Sequence, residues 1–359
     1  SGSANWTFNE LHFENSSGSN LTITMNPTGT GATIINGTFS IGNAGDSNTT
    51  ILDAETNDRI INANGDVAIT SKGSLSASSS ATFTIGGNYQ NSGAFTSGTG
   101  LVTFNSTATG KTLSGSLAST NKFYNLAFNG TGGAWSFGAN SAEVANNFTI
   151  TNGTVTAPST TISITGNYSN SGTFTNNSGT VLMNSTATGK TLAGSMTGSN
   201  RFYNLAFNGT GGAWSFGANS AEVNNDFTIT NGTVTAPSTT LTLTNNYSNS
   251  GTLTHNSGTV TFNATSTGKT INPGTSSPFN NVNFNGSGGG WTFQTNAPTL
   301  NGDLIMIAGT LNSSVNITVN GNVQCSVTCG TINVGNTFIH SVAANRSFGT
   351  NVAVGTNWT

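Results

Sequence analysis

The chain has 359 residues, of which only 5% are charged, and its formal net charge is −3. Gly, Asn, Thr and Ser supply 208 of these residues, and 21 are Phe. This composition excludes a basic nucleic-acid binder, a helical bundle and collagen. No apolar run reaches the roughly 18 residues that a membrane-spanning helix needs. A β-rich extracellular protein without a membrane span or a nucleic-acid partner fits what remains.

The first segment, residues 1–86, is predicted to form N-terminal solenoid coils. Within it, residues 42–72 form a more charged, irregular stretch that holds five of the eleven acidic residues: Asp46, Asp53, Glu55, Asp58 and Asp66. The stretch is interpreted as a solvated loop, as a calcium site, because hard cations take oxygen ligands, or as a docking surface for a neighbouring subunit. Its spacing matches no EF-hand loop.

Three repeat units follow, at 87–165, 166–244 and, in diverged form, 245–322. Residues 123–144 recur letter for letter at 202–223, which defines a 79-residue repeat. A fixed internal period is typical of a repeat architecture. We expect each repeat to equal four coils of about 20 residues, which would place Trp135, Trp214 and Trp291 in one column of the fold.

Apolar residues alternate with polar ones inside each repeat, and Asn-Gly, Ser-Gly and Gly-Gly pairs separate the short alternating runs. Period-two alternation indicates strands with one buried face. The predicted fold is therefore all-β, a parallel β-helix or β-solenoid of about 17 to 18 coils with almost no α-helix, forming one continuous rod. The predicted core anchors are Phe104, Phe128, Trp135, Phe148, Ile164, Phe207, Trp214, Phe262 and Trp291.

The last segment, 323–359, is predicted to form C-terminal coils. Cys325 and Cys329 are either a disulfide pair, which needs a turn between them, or two small buried hydrophobic residues. The first strand-like element is Asn5-Trp6-Thr7-Phe8 and the last residues are Asn357-Trp358-Thr359, and no amphipathic capping helix is predicted near either of them. We therefore expect Trp6, Phe8 and Trp358 to lie at an assembly interface, where a head-to-tail contact generates an open fibre.

The order of motifs resembles a known group. GTVTFN, a GKTL-type element, FYNLAFN, a WSF strand and FTITNGTVTA together are similar to the β-strand-repeat surface proteins of bacteria and archaea. These proteins in turn resemble the filamentous-haemagglutinin class of β-helical adhesins. The resemblance covers about residues 83–311. It implies a secreted, cell-surface or fibrous role and carries no catalytic residues.

Chemistry is sparse in the sequence. The first two repeats hold only Glu143, Glu222 and Asp226 as acids, and the three histidines, His12, His255 and His340, are scattered. Paired carboxylates or a carboxylate with a base are not evident, so the chain is predicted to be non-enzymatic and without cofactor or metal. Distant alternatives are an ice-binding protein, suggested by Thr-x-Thr pairs, and a polysaccharide-active β-helix enzyme.

There are 21 Asn-x-Ser/Thr sequons, against about 16 expected by chance from this composition. Candidate glycosylation sites include Asn105, Asn129, Asn147, Asn208, Asn263 and Asn345. The sequence thus predicts an extracellular structural protein, the subunit of a cell-surface filament formed by head-to-tail stacking, whose partner is another copy of itself. The alternative is the stalk of a large adhesin that contacts other cells or surface glycans.

Overall fold

The computed structural model describes residues 4–25, 31–325 and 330–340, and the backbone of strand 353–354. The prediction of an all-β parallel β-solenoid with almost no helix is confirmed. The described helical segments are two short 3₁₀ turns, Ser119–Asn121 and Gly198–Asn200. The chain divides into two compact units, Ser1–Thr180 and Val181–Thr359, which are taken in turn. The predicted repeat boundaries stay predictions.

The strands of the first unit are short, and most span only three or four positions. They are β1 (Trp6–Phe8), β2 (Leu11–Phe13), β3 (Leu21–Thr24), β4 (Thr33–Ile35), β5 (Phe39–Ile41), β6 (Thr50–Asp53), β7 (Ile61–Ala63), β8 (Val67–Ile69), β9 (Gly73–Ser76), β10 (Thr82–Ile85), β11 (Tyr89–Asn91), β12 (Ala94–Thr96), β13 (Leu101–Phe104), β14 (Lys111–Gly115), β15 (Asn125–Ser136), β16 (Ala142–Val144), β17 (Phe148–Thr156), β18 (Thr161–Ile164), β19 (Tyr168–Asn170) and β20 (Thr173–Thr175).

The strands of the second unit follow the same pattern, and the first of them begins at the last residue of the first unit. They are β21 (Thr180–Met183), β22 (Lys190–Gly194), β23 (Asn204–Ser215), β24 (Ala221–Val223), β25 (Phe227–Thr235), β26 (Thr240–Leu243), β27 (Tyr247–Asn249), β28 (Thr252–Thr254), β29 (Thr259–Phe262), β30 (Lys269–Asn272), β31 (Asn281–Phe293), β32 (Thr299–Leu300), β33 (Leu304–Ser313), β34 (Ile317–Val319), β35 (Val323–Cys325), β36 (Thr331–Val334), β37 (Phe338–His340) and β38 (Ala353–Val354).

Strands of successive turns pair in parallel and in register. One column of the first unit stacks eight strands through residues Trp6, Thr33, Ile61, Phe83, Val102, Leu126, Phe148 and Tyr168. Only the turns from Phe83 to Val102 and from Phe148 to Tyr168 contain as few residues as the predicted coil of about 20. The predicted 17 to 18 coils are therefore wrong. Loops make most of these turns longer than the expected coil, at 22 to 28 residues.

The alternation seen in the sequence decides which side chains are buried. Inward positions of adjacent strands meet in a continuous apolar core, and all nine predicted core anchors are at most 1% exposed. Phe128, for example, lies between the rings of Phe104 and Phe148, with centroids 5.3 and 5.9 Å away. No single coil could bury this surface alone, so stacking of turns supplies the core.

The 79-residue repeat does not equal a whole number of turns, which corrects the expected tryptophan column. It contains eleven strand segments at three segments per turn, or about three and two-thirds turns. Tyr89 stacks between Val67 and Leu113. Its equivalent in the next repeat, Tyr168, stacks instead in the column of Phe83. Equivalent residues thus move to the neighbouring column with each repeat.

The same displacement separates two tryptophans inside the second unit. Trp214 stacks through Val234 on Leu253 in β28. Trp291 belongs to the part of β31 that pairs with β30, and β30 stacks on Tyr247 in β27. Because β27 and β28 are consecutive strands of one turn, Trp214 and Trp291 lie in different columns.

Asparagine and aspartate side chains link the turns at the corners. The Asn88 N–H and side-chain amide donate to Asp66 Oδ1 at 2.7 and 3.1 Å, and Asn88 Oδ1 accepts from the Thr112 N–H at 2.9 Å. In the second unit, the Asn225 amide donates to Asn204 Oδ1 at 2.8 Å. These ladders satisfy backbone N–H groups that bends leave without a strand partner.

Candidate functional site

The first turn presents an open sheet edge. Among the described residues, β1, β2 and β3 each pair on one side only, with β4, β5 and β6. Trp6 and Leu21 occupy inward positions of this edge, yet they are 41% and 38% exposed. The strand partners of Trp6 and Phe8, Thr33 and Ile35, are 1% and 0% exposed. The edge therefore exposes both backbone groups and apolar side chains.

Two of the three predicted interface residues, Trp6 and Phe8, lie on β1 at this edge. Phe8 is half-buried. The third, Trp358, lies outside the described residues. The buried guanidinium of Arg59 lies 5.8 Å from the centroid of the Trp6 ring, a cation–π distance. Arg59 also donates to the Gly31 carbonyl, so the position of the Trp6 ring is held from the side of the second turn.

A second cluster, which sequence reasoning missed, lies on the outer face of the first two turns. His12 and Ser40 are register partners on β2 and β5, and the Ser40 hydroxyl lies 2.5 Å from His12 Nδ1. His12 Nε2 lies 3.4 Å from Glu10 Oε2. Serine, imidazole and carboxylate are thus arranged in series. Because Ser40 and His12 are far apart in the sequence, only the parallel stacking of turns could reveal the cluster.

A shallow cavity of about 350 Å³ lies beyond Ser40 on the same outer face, lined by Ala44, Ala68, Ile69, Thr70, Ser71, Gln90 and Ser92. Ala68 stacks directly next to Ser40, and Gln90 stacks next to Ala68. Gln90 is exposed, and its side-chain amide donates to no group in the part of the chain that the structure describes. The cavity therefore begins one strand beyond Ser40, at Ala68, and holds both apolar side chains and an amide donor.

The acidic segment 42–72 uses its carboxylates to hold neighbouring backbone. Asp46 accepts from the Asn15 N–H at 3.1 Å, Asp58 accepts from the Ser78 hydroxyl at 2.9 Å, and Glu55 accepts from the Ser79 N–H. No group of three or more potential metal ligands occurs within the described ranges. These three carboxylates therefore hold the segment to neighbouring parts of the solenoid.

Hydrogen bonds within the acidic segment change the pKa of one of its carboxylates, Asp53. Burial by itself would raise the pKa of Asp53, but hydrogen bonds from the Thr56 hydroxyl, the Thr56 N–H and the Glu55 N–H outweigh it and lower that pKa below its ordinary value. The hydrogen bonds from Glu55 and Thr56 therefore stabilise the ionised form of the Asp53 carboxylate. The side chain is half-buried, and its role is to order the local turn.

The two equivalent glutamates of the repeats are engaged in ion pairs. Glu143 pairs with Lys122, and its counterpart Glu222 pairs with Arg201, each at 3.3 Å. Both glutamates also accept from a backbone N–H of a 3₁₀ turn, Ser119 or Gly198. This arrangement is structural, since each carboxylate fixes a corner of the solenoid.

The two remaining histidines have separate surroundings. His255 accepts from the Ser257 N–H at 3.0 Å, and His340 Nε2 lies 2.8 Å from the Gly321 carbonyl. The other ring nitrogen of His255 lies 3.3 Å from the side-chain amide of Asn301. The ring nitrogens of His255 thus contact a backbone N–H and a side-chain amide, whereas His12 contacts a serine hydroxyl and a carboxylate.

The candidate glycosylation sites differ in accessibility. Asn105, Asn129 and Asn208 are exposed, whereas Asn147 and Asn263 are half-buried, and Asn345 lies outside the described residues. Asn129 and Asn208 accept from the amides of Asn152 and Asn231, at 2.7 and 2.8 Å. Cys325 is disulfide-bonded, and Cys329 lies outside the described residues.

Searches for relatives add no family to this geometry. No family model matches the chain, and neither a curated protein nor a solved structure matches it. In the described part of the chain, no helix is long and apolar enough to cross a membrane. The site must therefore be interpreted from its own residues.

Proposed function

We propose that the chain is an extracellular structural protein, a β-solenoid subunit of a cell-surface filament that assembles by head-to-tail stacking of turns. The open edge of β1, β2 and β3 carries this proposal. Three parallel strands arranged as one solenoid turn are complementary to another such turn, and a single extended peptide could pair with only one of them. A second copy of the chain is the proposed occupant.

The energetics of this contact resemble those inside the solenoid. A stacked turn would supply hydrogen bonds to the unpaired backbone groups of the edge. It would also cover the exposed faces of Trp6 and Leu21, at about 25 cal/mol per Å² of apolar surface removed from water. Repetition of such a heterologous contact produces a fibre rather than a closed ring when its rotation does not close.

The second candidate is the stalk of a large cell-surface adhesin. The resemblance of the repeat motifs to strand-repeat surface proteins supports both candidates, because it points to a secreted, fibrous role. The stalk differs in one respect: the edge of β1, β2 and β3 would be covered by preceding turns of the same polypeptide. Neither role requires chemistry from the solenoid.

Electron microscopy and sedimentation at increasing protein concentration separate these candidates. The filament predicts fibres that lengthen with concentration, and Leu21→Glu should abolish them by placing a charge in the joint. Leu101→Glu is the matched control, because Leu101 is 37% exposed but lies on β13, which is paired on both sides. A chain that stays monomeric at high concentration refutes the filament and favours the stalk. Equal loss of fibres in both variants shows that the edge is not the joint.

A further inference from the structure

We propose that Ser40, His12 and Gln90 form an acyl-transfer site that hydrolyses short-chain carboxylic esters, with Glu10 as the positioning residue. The inference is independent of the filament role and differs from the sequence-based expectation of a non-enzymatic chain. It rests on the juxtaposition of a serine hydroxyl, an imidazole, a carboxylate and a cavity on the outer face of the first unit.

The order of the groups matches the roles that nucleophilic catalysis requires. In the Nε2–H tautomer, His12 donates to Glu10 Oε2, and its Nδ1 accepts from the Ser40 hydroxyl. The lone pair on Nδ1 is therefore directed at the proton that must leave when the serine attacks. Glu10 fixes the tautomer and the ring orientation, because it accepts from the nitrogen that faces away from Ser40.

The cavity supplies a place for the ester. Its floor beside Ser40 is Ala68, a small side chain that leaves room for an acyl group, and Ala44 also lines the cavity. Gln90 stands two strands from Ser40, about 10 Å along the ladder. A carbonyl oxygen seated over Ala68 would lie within reach of the Gln90 amide. Side-chain amides stabilise the developing oxyanion in this way.

The reaction proceeds in two balanced steps. Ser40 Oγ attacks the ester carbonyl carbon while its proton passes to His12 Nδ1, and the Gln90 amide donates to the oxyanion. The bond from carbon to the leaving oxygen then breaks, and the proton on Nδ1 passes to the departing alcohol, which leaves an acyl-serine. A water molecule attacks this acyl group while its proton passes to His12 Nδ1. The bond between the acyl carbon and Ser40 Oγ then breaks, His12 returns the proton to Ser40 Oγ, and the carboxylic acid leaves.

The test uses the full chain with p-nitrophenyl acetate as the ester and a fluorophosphonate as a covalent probe for an activated serine. The expected result is saturable hydrolysis and a mass adduct on the peptide that contains Ser40. Ser40→Ala should abolish the adduct, and both Ser40→Ala and His12→Gln should lower kcat/KM by at least about 100-fold. Circular dichroism confirms that the outer-face substitutions leave the fold intact.

Two further variants test the roles. Glu10→Gln should lower kcat about 10-fold with KM unchanged, since a positioning residue does not touch the ester, and Glu10→Asp should restore part of the rate. His255→Gln is the matched control, because His255 is a histidine that lacks the serine arrangement, and it should leave the rate unchanged. An adduct elsewhere, a rate that persists in Ser40→Ala, or a wild-type rate no faster than that of free imidazole overturns the proposal.

Discussion

Replacement of Phe128 by alanine tests whether the core is a sum of local layers. Phe128 is fully buried, and its ring centroid lies 5.3 Å from Phe104, 5.2 Å from Trp135 and 5.9 Å from Phe148. Truncation of a buried phenylalanine costs about 3 to 5 kcal/mol. We expect a value near the upper end, because hydrogen-bonded ladders on both sides prevent the strands from collapsing into the cavity.

The location of the damage is as informative as its size. In a solenoid each turn contacts only its neighbours, so stability is approximately a sum of local terms. Hydrogen exchange resolved by peptide should therefore show lost protection in β13, β15 and β17 and retained protection in β4, β5 and β7. Uniform loss of protection along the first unit, or a destabilisation below about 1 kcal/mol, would refute the local-layer reasoning.

The sequence offers a replicate and a control for this experiment. Phe207 is the equivalent residue of the second unit, and its ring lies 5.2 Å from Trp214 and 5.8 Å from Phe227. Phe207→Ala should cost a similar free energy of unfolding, with lost protection centred on β23 and β25. Thr149→Ala, on the outward side of β17 beside Phe148, should change stability by less than about 0.5 kcal/mol.

Three further predictions concern backbone, corner and core. Gly42→Ala should lower the urea midpoint of unfolding more than Gly110→Ala does. Both glycines have positive φ, but a Cβ on Gly42 would collide with the backbone of Lys72 and Gly73, whereas a Cβ on Gly110 would meet open space. Asn88→Ala should cost about 1 to 3 kcal/mol in denaturant titrations, because it strands a backbone donor, whereas Asn105→Ala should be nearly neutral. Burial raises the pKa of Tyr89. The contribution of the neutral, buried Tyr89 to the free energy of unfolding is therefore complete below the ordinary tyrosine pKa of about 10, and it is lost as pH rises above that value. Alkaline titration followed by tyrosinate absorbance and circular dichroism should show ionisation of Tyr89 together with unfolding, and ionisation in the intact fold would contradict this prediction.

The amino-acid sequence by itself determined the class of fold and the inside of the solenoid. Period-two alternation and frequent turn residues required short strands with one buried face, and residues such as Phe104 and Trp214 are buried for that reason. These features are local, because the side chains of a strand alternate between its two faces whatever the strand pairs with. The exact recurrence of residues 123–144 at 202–223 likewise showed that the same local structure would recur.

Only the tertiary structure decided how many strands make a turn and which residues meet across turns. Three strands per turn and eleven segments per repeat place Tyr168 above Phe83 rather than in the column of its equivalent Tyr89. The same stacking brings Ser40 on β5 to His12 on β2. Local alternation carries no information about turn length, because loops of different size close the same turn. The register between turns, and with it the outer-face cluster, therefore emerged only when the strands were paired.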